Sequence, residues 1–216
     1  MPAGFVLNSP QVGSRKLTAS ASTNATCGQD AIIRRKSGTV DGSDRHKQMR
    51  IIAAQPADLG PYIDLLEEIA EWLNRRGFGQ LPVGTYRRLT DYFSVSIASG
   101  EVYLALIEND VVGSLRLLSE DRIVWPEADD DALYLHNLVI RRSWSGRSLG
   151  DQLLLWAERR AAIARRDFLR LDCFANNPVL RKYYENRGFE DRGEVDPQFP
   201  FGTLCLQRYE KHVLQK

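Results

Sequence analysis

The sequence predicts an α/β domain: a mixed, mostly antiparallel sheet of about six or seven strands with about four helices packed on it. Three observations predict it. Short runs of aliphatic and β-branched residues recur, from "MRIIAA" through "EVYLALI", "VVGSLRLL", "ALYLHNLVI" and "FLRLDCF" to "FGTLCLQRYEKHVL". Between them lie stretches whose apolar residues repeat at helical spacing. Gly, Pro, Asn and Asp punctuate the joins, as turns require.

In order, Met49 opens the first strand and "QPADLG" ends it. Asp58 precedes a helix whose apolar face is Leu59, Tyr62, Leu65, Leu66, Ile69 and Leu73, closed by Gly77 and Gly79. Tyr86 to Ile97 reads as a second, weaker helix. The next two runs form a hairpin about Glu108–Asp110, and "EADDD" is a polar connection. "ALYLHNLVIR" is apolar on both faces, as a central strand is. A glycine turn then leads into a helix with the stripe Leu149, Leu153, Trp156, Ala157, Ala161 and Ala164. After "FLRLDCF", Asn177 is a good N-cap, Pro178 suits the first helical position and Gly188 closes that helix. One more strand falls near Gly193–Val195, before the last.

Composition narrows the class. The chain has 216 residues and a formal net charge of +1, which argues against a general nucleic-acid binder, since that needs a basic surface. No apolar run is long enough to span a bilayer, and "MPAGFVLNSPQVGSRK" lacks the pattern of a secretory signal. The three cysteines, Cys27, Cys173 and Cys205, have neither disulfide nor metal spacing. A cytoplasmic protein without a membrane or a bound metal is the expectation. Residues 1–48, rich in Ser, Thr, Gly and Asn, read as a flexible leader to a domain at 49–216. Met49 is itself a candidate start.

The most informative stretch is "RRSWSGRSLGDQLLLWAERRAA", Arg141 to Ala162. A basic glycine turn at the mouth of a helix presents free N–H groups and the positive end of the dipole, a setting for phosphate. It is not a P-loop, because Gly146 and Gly150 are too close and no Lys follows. It is not a dinucleotide fingerprint either, because Ser148 takes the middle position and the turn lies late in the domain.

The segment "LHNLVIRRSWSGRSLGDQLLLWAERRA…LRLDCFANNPVLRKYYENRGFEDRG" resembles the core of the GNAT superfamily of N-acetyltransferases. That superfamily carries an Arg/Gln-x-x-Gly-x-Gly/Ala turn, matched here by residues 145–150. A later Asn-x7-Tyr followed by Gly-Phe is matched by Asn177, Tyr184, Gly188 and Phe189. Ser145 and Ser148 depart from the pattern. The resemblance implies acetyl-CoA as co-substrate, with the pyrophosphate on Gly146, Arg147, Ser148, Leu149 and Gly150 and with Asn177 and Tyr184 nearby. Arg141 and Arg142 either add charge there or form a solvated basic face.

The resemblance also implies that the pantetheine arm pairs with main-chain groups of Leu138 and Ile140, and that an N–H around Val139 meets the oxyanion. Tyr184 stands where the family places the acid that protonates the leaving sulfur, although its helical stripe with Leu180 and Tyr183 also suits a core residue. For a base the chain offers His136, which as readily sits hydrogen-bonded in the strand; Asn137 suits a bulge or a held water. Trp72, Tyr86 and Trp125 are candidates for the acceptor side, and Glu127, Asp130 and Asp131 for attracting a cationic amine. The implied reaction is direct transfer to a primary amine of a small molecule with no acyl-enzyme, since Cys173, in the strand-like run "LRLDCF", reads as a small buried thiol and a poor nucleophile. The competing readings are a non-catalytic acyl-CoA-binding domain and a protein or peptide amine acetyltransferase; a homodimer is the assembly to be tested.

Overall fold

The computed structural model describes residues 48–78, 81–127, 131–199 and 201–214. The expected leader falls outside these residues except for Gln48. A seven-stranded sheet forms the centre, in the order β1-β2-β3-β4-β5-β9-β6. Its strands are β1 (Met49–Ala53), β2 (Val102–Ile107), β3 (Asp110–Leu118), β4 (Ala132–Ile140), β5 (Phe168–Phe174), β6 (Glu190–Val195) and β9 (Leu206–His212). Among the described residues only β4 and β5 are parallel neighbours. They are joined by a crossover helix, as a parallel pair must be.

The helices are α1 (Leu59–Arg75), α2 (Thr85–Arg88), α3 (Thr90–Ala98), α4 (Leu149–Ile163) and α5 (Pro178–Glu185). The expected helix from Tyr86 to Ile97 is divided at Leu89, whose φ of −100° and ψ of 20° lie off the helical well. The expected last strand begins at Leu206, because the residues before it form a separate two-stranded ribbon, β7 (Gln198–Phe199) with β8 (Gly202–Thr203). Among the described residues no helix is long and apolar enough to cross a membrane.

The sheet buries both faces. On one, Leu153, Ala157 and Ala161 of α4 pack fully buried against Leu135, Leu169, Leu171 and Tyr209. On the other, Tyr62 and Leu66 of α1 meet Phe93, Leu104 and Val102, and further along Trp125, Tyr134 and Leu206 form a third cluster. Each fully buried Leu contributes about 1.5–3 kcal/mol by leaving water. Alternation along β4 and β5 therefore sends Leu135, Leu171 and Cys173 to the α4–α5 side and Tyr134, His136 and Asp172 to the other. Gly113 of β3 is glycine for want of room: a Cβ there would lie 2.7 Å from the Val139 carbonyl oxygen and 2.8 Å from Ile140 Cδ1.

Candidate active site

The sheet opens where the parallel pairing of β4 with β5 ends. Pairing of β4 with β5 runs from Ala132↔Phe168 to Leu135↔Leu171 and stops. Beyond it, β5 continues against β9 while residues 136–140 of β4 keep only β3 as neighbour. A bulge contributes to the divergence. Ser114 faces Val139 and Arg116 faces His136, so Asn137 and Leu138 stand opposite Leu115 alone. Asn137 takes the left-handed conformation, φ 49°, which Asn tolerates better than most residues.

Strand alternation then decides which main-chain groups face the gap. The Arg141 N–H donates to the Val112 carbonyl at 2.8 Å, so Arg141 and, two residues earlier, Val139 direct their polar groups at β3. Leu138 and Ile140 direct theirs into the gap, as expected for a peptide-like arm. The expected oxyanion donor shifts accordingly: the Val139 N–H is turned to β3, and the Leu138 N–H faces the opening.

The gap leads to the glycine turn. A short 3-10 turn at Arg142–Trp144 is tied off by the Ser145 hydroxyl, which donates to the Arg142 carbonyl at 3.0 Å. Gly146 (φ 78°) and Ser148 (φ 56°) then turn left-handed and deliver the chain into α4. Among the described residues, the N–H groups of residues 146–151 meet no protein acceptor, and Gln152 is the first to close a helical bond, onto the Ser148 carbonyl. A row of free donors at the positive end of α4 is a cradle for an anion, and it fits a pyrophosphate.

The three arginines there have separate duties. Arg141 binds Glu68 of α1 at 2.8 Å and the Val111 carbonyl. Arg142 lies 3.8 Å above the Trp72 ring, and Arg147 lies 4.6 Å above Trp144. Neither of the last two has a carboxylate partner among the described residues, which leaves their charge for a ligand. Ser148 is the strained member of the turn, since the left-handed region costs a non-glycine residue about 1–2 kcal/mol. Ser148→Gly should raise stability by up to about 1 kcal/mol and leave coenzyme A affinity equal or better. Thermal denaturation and calorimetry check this; a large loss of affinity would make the hydroxyl a ligand.

Tyr184 of α5 comes from the α4–α5 side and is 6% exposed, packed on Tyr183, Phe189 and Tyr209. Its hydroxyl has no hydrogen-bond partner among the described residues. Burial raises its pKa, and Cys173, Tyr183 and Asp172 add to the effect, so it stays protonated at neutral pH. Tyr183 is engaged elsewhere: its hydroxyl donates to Asp151 Oδ1 at 2.7 Å beside Gly150. Cys173 is buried and its thiol is pushed up to about 12, chiefly by burial, which makes it a poor nucleophile at neutral pH. Asn177 acts as the N-cap of α5, its side-chain oxygen accepting the Leu180 N–H at 3.1 Å.

His136 stands on the opposite face at the head of the gap, between two carboxylates that sequence reasoning missed. Its Nε2 is 3.2 Å from Asp121 Oδ2 and its Nδ1 is 3.6 Å from Asp172 Oδ1. Burial alone would depress the imidazole pKa, but the Asp121 contact and the two negative charges hold it above its ordinary value. Burial pushes Asp172 up to about 6 despite His136. Burial also raises Asp121, but His136 and the N–H groups of Val124 and Ile123 outweigh that and hold it below the usual range. No spacing rule links Asp121, His136 and Asp172; only the "D" of "LRLDCF" shares the strand alternation that could have flagged it.

The aromatic candidates do not share one surface. Trp72 lies beneath Arg142 at the turn end. Tyr86 reaches the bulge, where its hydroxyl meets the Asn137 side chain; burial, with Glu67 adding, pushes its pKa up to about 12. Trp125 is buried against Tyr134, with Arg170 and Arg208 over its ring and its Nε1 without a partner among the described residues. Asp131 and Glu127 are bound to Arg170 and Arg208 at 2.8 and 3.0 Å, which answers their charge within the protein. Asp130 lies outside the described residues.

A sheet that splits where β4 and β5 part, opening toward a helix N-terminus with free N–H groups, is an arrangement suited to an acyltransferase that uses coenzyme A. The family model "Acetyltransferase (GNAT) family" matches residues 66–189. The chain is 31% identical over 134 residues to "Uncharacterized N-acetyltransferase YesJ" of Bacillus subtilis (strain 168), covering 60% of this chain and 74% of that protein. Its fold is similar to a GNAT-family acetyltransferase from Listeria monocytogenes, with a TM-score of 0.63, 26% identity, and coverage of 76% of this chain and 94% of the other. It is also similar to PaiA N-acetyltransferase of Thermoplasma acidophilum, solved in complex with coenzyme A, with a TM-score of 0.56, 16% identity, and coverage of 76% and 99%. The chain belongs to the GNAT family and is an N-acetyltransferase.

Proposed function

We propose that this enzyme transfers the acetyl group of acetyl-CoA to the primary amine of a small molecule, by direct attack in a ternary complex. The observation that supports it most is the gap between β4 and β5, with the free N–H row of residues 146–151 after it, His136 on one face of the sheet and Tyr184 packed on the other. Acetyl-CoA supplies an activated thioester. Gly146 to Gly150 hold its pyrophosphate, with Arg142 and Arg147 adding charge, and the main chain of Leu138 and Ile140 holds the pantetheine arm. The amine gives a proton to His136 and attacks the carbonyl carbon. The Leu138 N–H stabilises the oxyanion. The C–S bond then breaks, and Tyr184 protonates the sulfur.

The high thiol pKa of Cys173 supports a route without an acyl-enzyme. Purified protein with acetyl-CoA and a panel of alkylamines, polyamines, arylamines and amino acids should release free thiol with at least one alkyl member. Tight coenzyme A binding with no thiol release from any amine or peptide would favour the non-catalytic reading instead. Release with peptides alone would favour a protein or peptide acceptor.

A further inference from the structure

Three polar atoms at the head of the gap, Asp121 Oδ2, His136 Nε2 and Asp172 Oδ1, are buried and lack a well-aligned hydrogen bond. They come from three separate elements: the β3–β4 connection, β4 and β5. Two carboxylates flank opposite nitrogens of one ring, so they do not converge on one nitrogen. A neutral imidazole has one N–H. Between two ionised carboxylates its second nitrogen must therefore oppose its lone pair to oxygen lone pairs. Adding a proton turns that repulsion into a second charge-assisted hydrogen bond. The trio is thus a stronger proton acceptor than a free imidazole.

Its surroundings are largely anionic or neutral. Arg116 of β3 is the cation across the strand, and its guanidinium is turned to the Tyr92 hydroxyl at 2.6 Å and to Glu101 at 3.2 Å. Cys173 and Tyr184 lie on the far side of β5, close enough for the Asp172 charge to raise both. Asp121 also caps the Ile123 and Val124 N–H groups at 3.2 and 3.1 Å through Oδ1, which fixes Oδ2 for the ring.

We infer that Asp121 and Asp172 are positioning residues that make His136 basic enough to deprotonate an ammonium, so that the acceptor is an aliphatic amine that arrives as a cation. The inference rests on the transferase reading above. The proton balance is simple. An ammonium R–NH3+ gives one proton to the trio, which later passes it to water. The amine forms the C–N bond, and the C–S bond breaks. The thiolate takes a proton from Tyr184, and the second proton shed by nitrogen restores the phenol. The products are the amide, free coenzyme A and one proton in solution.

Removing either carboxylate deletes an opposite charge beside the ring, which should lower its pKa. The His136 imidazole signal of the resting protein, followed by NMR and assigned with His136→Gln, should titrate above 6.5, and lower in Asp121→Asn and Asp172→Asn. Asparagine keeps the cap at 121, so melting temperatures should change little. The acid limb of kcat/KM for the fastest alkylamine of the panel should move to lower pH in both variants, with a reduced plateau. An arylamine, neutral at that pH, should carry no such limb.

An imidazole that titrates alike in wild type and both variants overturns the proposal, as does an alkylamine limb that neither variant moves. Silence of the whole amine panel would instead remove the transferase reading, while the NMR titration still judges the coupling.

Discussion

Tyr184→Phe should lower kcat by roughly one to three orders of magnitude, the range of general acid catalysis, while the protein melts at nearly the same temperature. The ring is buried against Tyr183, Phe189 and Tyr209, and phenylalanine keeps those contacts. The hydroxyl is not part of any internal hydrogen bond among the described residues, so its deletion leaves no orphaned partner. Stability and rate are therefore separable at this position, which is unusual for a buried side chain. Coenzyme A affinity should hold, and a poor thiolate leaving group should suffer more than a good one. Full turnover in this variant, or loss of turnover through Cys173→Ala alone with coenzyme A binding intact, would remove the assigned acid.

Gly150→Asp should weaken coenzyme A binding by about 100-fold or more, about 2.7 kcal/mol. Two effects combine. A Cβ at 150 would lie 3.0 Å from the Tyr183 hydroxyl, which Asp151 holds in place. The new carboxylate would stand beside the free N–H groups and compete with the pyrophosphate for them. Gly150→Ala keeps the steric part without the charge and should lose less. Calorimetry that finds wild-type affinity in Gly150→Asp would move the pyrophosphate elsewhere.

Much of the architecture was readable from local pattern. The strand-like runs became strands, the glycine turn became the mouth of α4, and Asn177 capped α5, because hydrophobic period and cap chemistry are properties of neighbouring residues. The helix break at Leu89 was not readable, because no Pro or Gly marks it; the β7–β8 ribbon was missed because Gly202 and Thr203 were read into the run of the last strand, although Pro200 and Gly202 signal a turn in the sequence there. At the site, Tyr184 and His136 could be singled out one at a time. The carboxylates on either side of His136 could not, since one lies on a connection and the other on a strand, at no fixed spacing from it.

Family membership, the glycine turn proposed to hold phosphate and the proposed place of the phenol follow from order and spacing along the chain, where each signal spans a few residues. Which main-chain groups face the gap, and which side chains meet across it, followed only from the folded sheet. The bulge at Asn137 sets the alternation of β4, and the end of β4–β5 pairing at Leu135 and Leu171 opens the sheet. Both depend on strands distant in sequence, so the chemistry proposed at His136 rests on register rather than on any local motif.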